Sequence, residues 1–268
     1  MACRIFFSTD YCLHLYMLLT ILHFDSLPST NTEAARQAAR GAHEGLCIVA
    51  QEQTEGRGRQ GRVWSSPKGA GLYFSIVLRP QLQARAWPLI TLMAATAVAD
   101  ALRQACQLSV DIKWPNDIMA GGRKLSGILA ETVETETGRA CVLGIGINLN
   151  DRAFPSHLSA SATSVETLTG SAPDVERLLQ SVTRAIKMRY RLLQETDGEA
   201  LTLREWAARS SFAEGRRVRV SLEGETLEGW TRGLEPDGAL RVETDAGELR
   251  AVRAGDVLAL RPDAEETQ

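Results

Sequence analysis

The 268-residue sequence lacks most of the features that would fix a function by themselves. Aromatic residues make up only 6% and the formal net charge is −3, so composition supplies neither the basic surface nor the stacking platforms of a dedicated nucleic-acid binder. The five cysteines, Cys3, Cys12, Cys47, Cys106 and Cys141, are scattered and contain no C-x-x-C pair. Cys47 and Cys141 sit inside apolar runs, which suits small buried hydrophobes in a reducing compartment and an expected cytoplasmic location. The apolar run at 11–24 is too short for a membrane span. Arg4 is the only early cation and no A-x-A site follows, which speaks against a signal peptide. No G-x-x-x-x-G-K-[ST] phosphate loop, internal repeat, low-complexity linker or nucleophilic triad is present.

What is present reads as two units. Residues 1–17 form an irregular extension, with Met17 an alternative start. A strand at 18–24 precedes an Ala-rich helix at 32–40, with Thr30 and Glu33 at capping-box spacing and Gly41 closing it. Strands follow at 46–53 and 72–80. An Ala-rich apolar helix at 88–105 is expected to be buried on more than one side. Short strand VDIKW, a GGRK turn, and strands at 126–134 and 140–150 come next, then an amphipathic helix at 173–193 capped by Ser171 or Asp174. Strands that succeed one another without helices favour α+β, with a mixed or antiparallel sheet, for residues 18–211. From 212 to 262 the pattern alternates with period two between Gly-containing turns, as in a small β barrel, and 263–268 form a tail.

Four polar segments carry chemistry. GRGRQGR at 56–62 alternates glycines with Arg57, Arg59 and Arg62; glycines let backbone N–H groups approach an anion, and arginines hold phosphate or carboxylate bidentately. A flexible basic loop touching RNA would have the same composition. KWPND, Lys113 to Asp117, ends a strand with a turn and offers a carboxylate, Asp117, of the kind Mg²⁺ takes alongside phosphate oxygens. RKLSG puts Lys124 at the mouth of a strand. GIGIN, with Gly144 and Gly146, leaves one strand face without side chains, either for close packing or for a ligand lying against bare backbone.

In this order, STN, Q-x-x-GRGRxGR-x-W, KWPND, RKLSGIL and GIGIN resemble the biotin protein ligases, over residues 24–260. The resemblance implies a catalytic domain related to lipoate ligases, followed by an SH3-like barrel. It implies ATP-dependent activation of biotin to biotinyl-5′-AMP, with Mg²⁺, and transfer to a lysine of a biotin carboxyl carrier protein of acetyl-CoA carboxylase. It places Ser29, Thr30 and Gln53 at the biotin ureido group, Asn31 among the biotin contacts, and Gly56, Arg57, Gly58 and Arg59 in a loop over biotin and phosphate. Lys124 would bridge the biotin carboxylate and the α-phosphate as the main catalytic residue, with Arg59. Gly127, Gly144 and Gly146 would line the pocket. Arg62, Trp64, Lys113, Asn116, Asp117 and Asn148 would face the nucleotide, Asp117 also the metal. About twenty residues precede the catalytic domain, too few for the DNA-binding module that some members carry; a monomer or homodimer without DNA or membrane partners is expected. The rivals are a lipoate or octanoate ligase and an RNA-binding module.

Overall fold

The computed structural model describes residues 17–222 and 224–259. Most of the expected N-terminal extension, with Cys3 and Cys12, lies outside the described residues, as do 260–262 and the tail at 263–268.

A seven-stranded sheet organises the first unit: β1 (Thr20–Phe24), β2 (Leu46–Ala50), β3 (Gly71–Leu78), β4 (Asp111–Lys113), β5 (Asp117–Ala120), β6 (Arg123–Thr135) and β7 (Gly138–Asn148). Their order is β1-β2-β3-β7-β6-β5-β4. Only β1 and β2 run parallel; every other neighbouring pair is antiparallel. The expected mixed α+β architecture is thus found.

Because side chains alternate along a strand, the sheet has two distinct faces. On one, Cys47, Phe74, Ile76, Leu143, Ile145 and Ile147 join the main core beneath α2 (Leu89–Cys106) and α4 (Val175–Leu193). On the other, Ile48, Val77 and Val142 pack against Ala34 and Ala38 of α1 (Thr30–Ala39). Further along that second face the side chains shrink to Ser75, Gly144, Gly146 and Gly127, which are cross-strand neighbours in β3, β7 and β6. A shallow trough opens there, and α1 points its N-terminus across it.

The Ala-rich α2 is buried from Leu89 to Leu102, save Thr91. It is long and apolar enough to cross a membrane, but most of its surface is covered by the protein itself. The amphipathic α4 turns Leu178, Leu179, Val182, Ile186, Tyr190 and Leu193 inward, and Asp174 caps it by accepting from the Arg177 amide at 3.0 Å. Two short helices were not expected: α3 (Val165–Thr169) and α5 (Gly198–Ala207). Asp100 on α2 receives Arg189 of α4 and Arg209 beyond α5, a charged junction inside the helical layer.

The second unit is one antiparallel sheet, β8 (Glu214–Ser221), β9 (Thr226–Leu234), β10 (Leu240–Thr244), β11 (Leu249–Val252) and β12 (Asp256–Ala259), ordered β11-β10-β9-β8-β12. It packs directly on the first. Trp114 Nε1 donates to the Gly238 carbonyl at 3.0 Å. Gly238 sits at φ +84°, and a Cβ there would lie 3.1 Å from Leu89 and Leu92.

Four local expectations are corrected. Helix α1 starts at Thr30, not 32, with Ser29 as N-cap. Glu33 bonds Arg36 and Gln37 instead of closing a capping box, because the Thr30 hydroxyl is used elsewhere. Asp117 is the first residue of β5 and not part of the turn, which occupies 114–116 and contains a cis Trp114–Pro115 bond. Lys124 likewise lies within β6, since the turn is confined to Gly121 and Gly122 at φ +55° and +74°.

Candidate functional site

The trough is floored by Gly127, Gly144 and Gly146, walled by the start of α1 and Gln53, roofed by the GRGRQGR loop, and closed at one end by Asn116, Asp117 and Lys124. Sequence positions 29 to 146 therefore meet in one cleft, as the motif order implied.

The floor is bare backbone, but protein side chains lie on it. A Cβ on Gly144 would fall 1.9 Å from Asn31 Oδ1, and one on Gly146 would fall 2.4 Å from Trp64 Nε1. At Gly127 the nearest atoms are the Trp64 ring at 3.0 Å and Lys124 Cε at 3.3 Å. Trp64, expected towards a nucleotide, thus covers the glycine floor here. Its indole Nε1 is buried without a hydrogen-bond partner, and the Lys124 ammonium stands 5.2 Å from its ring centre.

The wall is a continuous polar network. Gln53 Oε1 accepts from the Thr30 amide at 2.8 Å and from its hydroxyl at 3.0 Å, so a side chain satisfies an N–H that the first helical turn leaves open. Gln53 Nε2 donates to Ser66 at 2.8 Å. Ser75 Oγ lies 2.7 Å from Thr30 Oγ1 and 2.6 Å from Asn31 Oδ1. Asn31 Nδ2 donates to Glu131 at 2.7 Å and to the Leu129 carbonyl at 3.3 Å. Ser29 makes no capping bond with its side chain, which faces the cleft.

The loop is a tight hairpin rather than a formless one. Gly58 N–H donates to the Arg62 carbonyl at 2.7 Å and Trp64 N–H to the Gly56 carbonyl at 2.9 Å. Gly56 has to be glycine: a Cβ would lie 2.2 Å from the Trp64 carbonyl oxygen. The three arginines diverge. Arg57 donates to Glu131 at 2.7 Å, Arg59 donates to Asn116 Oδ1 at 3.3 Å, and Arg62 pairs with Asp256 of the second unit.

Cations converge on one carboxylate. Lys124 Nζ lies 2.6 Å from Asp117 Oδ1. Burial holds the Lys113 ammonium below its ordinary range; Asp117 opposes that shift, while Lys124 and Arg62 add to it. Burial acts on Arg59 in the same direction, again opposed by Asp117. This corner gathers Lys124, Lys113 and Arg59 around the one carboxylate of Asp117, a local excess of positive charge. Among the described residues, no group of three or more His, Cys, Asp or Glu side chains is placed to hold a metal.

Three expected site residues do not line the cleft. Gly56 is buried as the hinge of the hairpin, and Lys113 stands behind Asp117, its partner across the β4–β5 pair. Asn148 is buried and donates to the carbonyls of Thr163 at 2.9 Å and Lys124 at 3.4 Å. Together with the Lys124 amide bonded to Ser161, it fixes the backbone from which Lys124 projects. The sequence reading missed Ser75, Glu131 and Asp256. Ser75 had a signal, a lone hydroxyl in the apolar run LYFSIVL.

Comparison with known proteins agrees with this geometry. Residues 23–148 match the Biotin/lipoate A/B protein ligase family, and residues 215–259 match the Biotin protein ligase C terminal domain. The chain is 35% identical over 240 residues to the bifunctional ligase/repressor BirA of Bacillus subtilis, covering 88% of this chain and 73% of that one. It is 36% identical over 227 residues to a biotin–[acetyl-CoA-carboxylase] ligase of Paracoccus denitrificans, covering 82% and 92%. The structure of biotin protein ligase from Aquifex aeolicus in complex with biotin and ATP superposes with a TM-score of 0.78 at 27% identity, covering 90% of this chain and 99% of that one.

Proposed function

The chain belongs to the biotin protein ligase family, and we propose from that membership how the cleft described above carries out the family's reaction. The enzyme activates biotin with ATP and transfers it to a lysine of a carrier protein. The observation that carries the residue assignments is the meeting of a polar wall and a cation corner over a side-chain-free floor.

In the first step a biotin carboxylate oxygen attacks the α-phosphorus of ATP. The bond to the bridging oxygen breaks, and pyrophosphate leaves with the electron pair. The obstacle is bringing an anion against a polyanion. Lys124, Arg59 and Arg62 line the place where these charges would meet, with Lys113 behind them, and fixed cations stabilise charge that grows in the transition state. Lys124 is held by its backbone, so its ammonium can exchange Asp117 for phosphate and carboxylate oxygens without a change of fold. Thr30, Gln53 and Ser29 offer the ureido ring hydrogen bonds, and Trp64 must swing off Gly127 and Gly146 to admit it. In the second step the carrier lysine amine attacks the acyl carbon and AMP departs. An ordered loop over the intermediate keeps water from reaching it.

Mg²⁺ would enter on the ATP phosphates and neutralise their charge. Asp117, once released from Lys124, would be its one protein carboxylate, which suits an ion that keeps most of its ligands as water and phosphate. The acceptor is proposed to be the carboxyl carrier protein of acetyl-CoA carboxylase, after the reaction named for the Paracoccus relative. Free thiols at Cys47, Cys106 and Cys141 suit a reducing cytoplasm. The polar wall is suited to a ureido ring rather than to an unsubstituted acyl chain. Incubation with biotin, Mg-ATP and the carrier domain should add one biotinyl group to the carrier by intact mass. An unmodified carrier, together with exchange of pyrophosphate driven by lipoate instead of biotin, would refute the reading.

A further inference from the structure

A second cavity, of about 200 Å³, lies between the two units behind the cation corner. It borders the cleft along Arg59, Asn116, Ile128 and Leu129, which face both spaces. It exists because β5 covers β6 only as far as Gly127, leaving the outer edge of β6 open at Leu129 and Ala130. The first turn of α2 stands on one side of that gap and the turn between β9 and β10 on the other. We propose that this cavity is the passage by which the acceptor lysine of the carrier protein reaches the acyl-adenylate, and that its wall delivers the lysine as a neutral amine. The proposal rests on the function assigned above and adds the route of its second step.

The wall suits an aliphatic chain better than a polyanion. Leu92, Trp114, Pro115, Ile128, Leu129 and Ala130 supply most of it. One water takes about 10–15 Å³ of such a space, so the unbranched lysine side chain enters with room to spare. Arg59 is the partition at the inner end. Its guanidinium donates to Asn116 Oδ1 at 3.3 Å, and Asn116 is fixed in turn to Ile128, by its Nδ2 donating to the Ile128 carbonyl at 2.8 Å and its own carbonyl accepting from the Ile128 amide at 3.0 Å. When Arg59 turns to the α-phosphate, cavity and cleft become continuous, so the passage opens once there is a phosphate to hold. Charge decides the form in which the lysine arrives. Among the described residues, the ionisable groups on this wall are Arg59, Asp237 and Arg253, and Asp237 is taken by Arg253 at 2.9 Å. Beyond the partition, Asp117 is taken by Lys124. An ammonium would leave water for an apolar wall that ends in a guanidinium and offers no free carboxylate. Desolvation and like charge both favour the neutral amine, so the lysine gives one proton to water on entry. Its nitrogen then attacks the acyl carbon, the acyl C–O bond breaks, AMP leaves with the electron pair, and the nitrogen loses its surplus proton to water.

Thr91 stands half-buried in the first turn of α2, on the wall of this cavity and outside the cleft. Thr91→Trp should fill the passage. Biotin-dependent ATP–pyrophosphate exchange should then stay near the wild-type rate, while single-turnover transfer from preformed enzyme-bound biotinyl-AMP to saturating carrier should slow about a hundredfold, as for a displaced nucleophile. Thr91→Glu puts a carboxylate in the passage, in a first helical turn that has no acidic residue and favours one. It should hold the lysine as ammonium: the pH profile of transfer should move up by about one unit, making transfer about tenfold slower at neutral pH and restoring it in alkali, with exchange unchanged. Thr91→Gln, of the same size without the charge, should show no such shift. Transfer by Thr91→Trp close to the wild-type rate, exchange that falls in step with transfer, or a Thr91→Glu profile that matches Thr91→Gln would each overturn the proposal; the second result would give the cavity to ATP or pyrophosphate. Should Thr91→Trp fail to fold, the Glu and Gln variants decide by themselves. Exchange in the wild-type enzyme that did not depend on biotin would instead remove the function beneath it, and the proposal with it.

Discussion

Gly144→Ala is the most direct test of how the cleft is built. The added methyl would sit 1.9 Å from Asn31 Oδ1, 2.8 Å from its Cγ and 3.1 Å from its Nδ2, whereas ordinary contact begins near 3.4 Å. Gly144 lies within β7, hydrogen-bonded between β3 and β6, so the side chain must yield and not the strand. Asn31 would have to retreat by about 1.5 Å, which takes its bonds to Glu131 and Ser75 out of range. One bond to a charged group and one neutral bond are together worth about 3 kcal/mol. Replacing glycine in a strand returns roughly 0.5–1 kcal/mol of chain entropy, too little to reverse the sign. For a protein of this size the midpoint of thermal unfolding should fall by roughly 5–10 °C. The double variant Asn31→Ala/Gly144→Ala removes the clashing oxygen and should melt above Gly144→Ala alone. Calorimetry on the four proteins gives the answer. A Gly144→Ala midpoint within about 2 °C of wild type, or a double variant no better than the single, would show that the Asn31 side chain is not what the bare strand accommodates.

Other predictions follow from the cation corner and the helical layer. Lys124→Ala should leave the fold intact and lower adenylate formation about a hundredfold, near 3 kcal/mol of transition-state stabilisation; near-wild-type pyrophosphate release would contradict it. Arg59→Ala, which frees the loop from Asn116, should let biotinyl-AMP escape into solution, and an intermediate retained as tightly as before would show that the loop is no clamp. Asp100→Asn should cost about 1–3 kcal/mol in urea unfolding, since Arg189 and Arg209 lose one counter-ion and keep Glu205. Burial pushes the Asp100 carboxyl up, but the bonds and charges of Arg189 and Arg209 outweigh it and hold it below its ordinary 3.8. A carboxyl depressed by folding adds stability that is full above about pH 3.8 and fades as the pH falls through the lower folded value. Asp100→Asn should therefore flatten the acid limb of stability against pH; an unchanged limb would place that dependence on other groups.

The parts of this protein legible in its sequence are those where one residue type is demanded locally. Alternation in GIGIN marked a strand with an empty face, Ala and Leu spacing marked α2, and Arg between Gly marked an anion loop. What escaped depends on register and distance. Glu131 reads as a solvent-facing strand residue until β6 is laid beside β7 and α1. Asp256 carries no signal in the sequence, because its meeting with Arg62 exists only once the second unit docks on the first. The resemblance sets Asn148 toward the nucleotide, whereas packing gives its amide to the carbonyls of Thr163 and Lys124. The position of Trp64 was illegible for another reason: only packing decides which of two surfaces a ring at the end of a hairpin will cover.

That ring carries a consequence for the heat of binding. With Trp64 lying on Gly127 and Gly146, the floor is already shielded from water before any ligand arrives. Biotin would then exchange one covering for another, and the only apolar surface newly withdrawn from solvent would be its own, less whatever the displaced indole exposes. The heat-capacity change on binding should accordingly be small in magnitude for the area of contact formed. Trp64→Gly would leave the floor hydrated, and the enthalpy of biotin binding should then fall more steeply with temperature than in the wild-type enzyme.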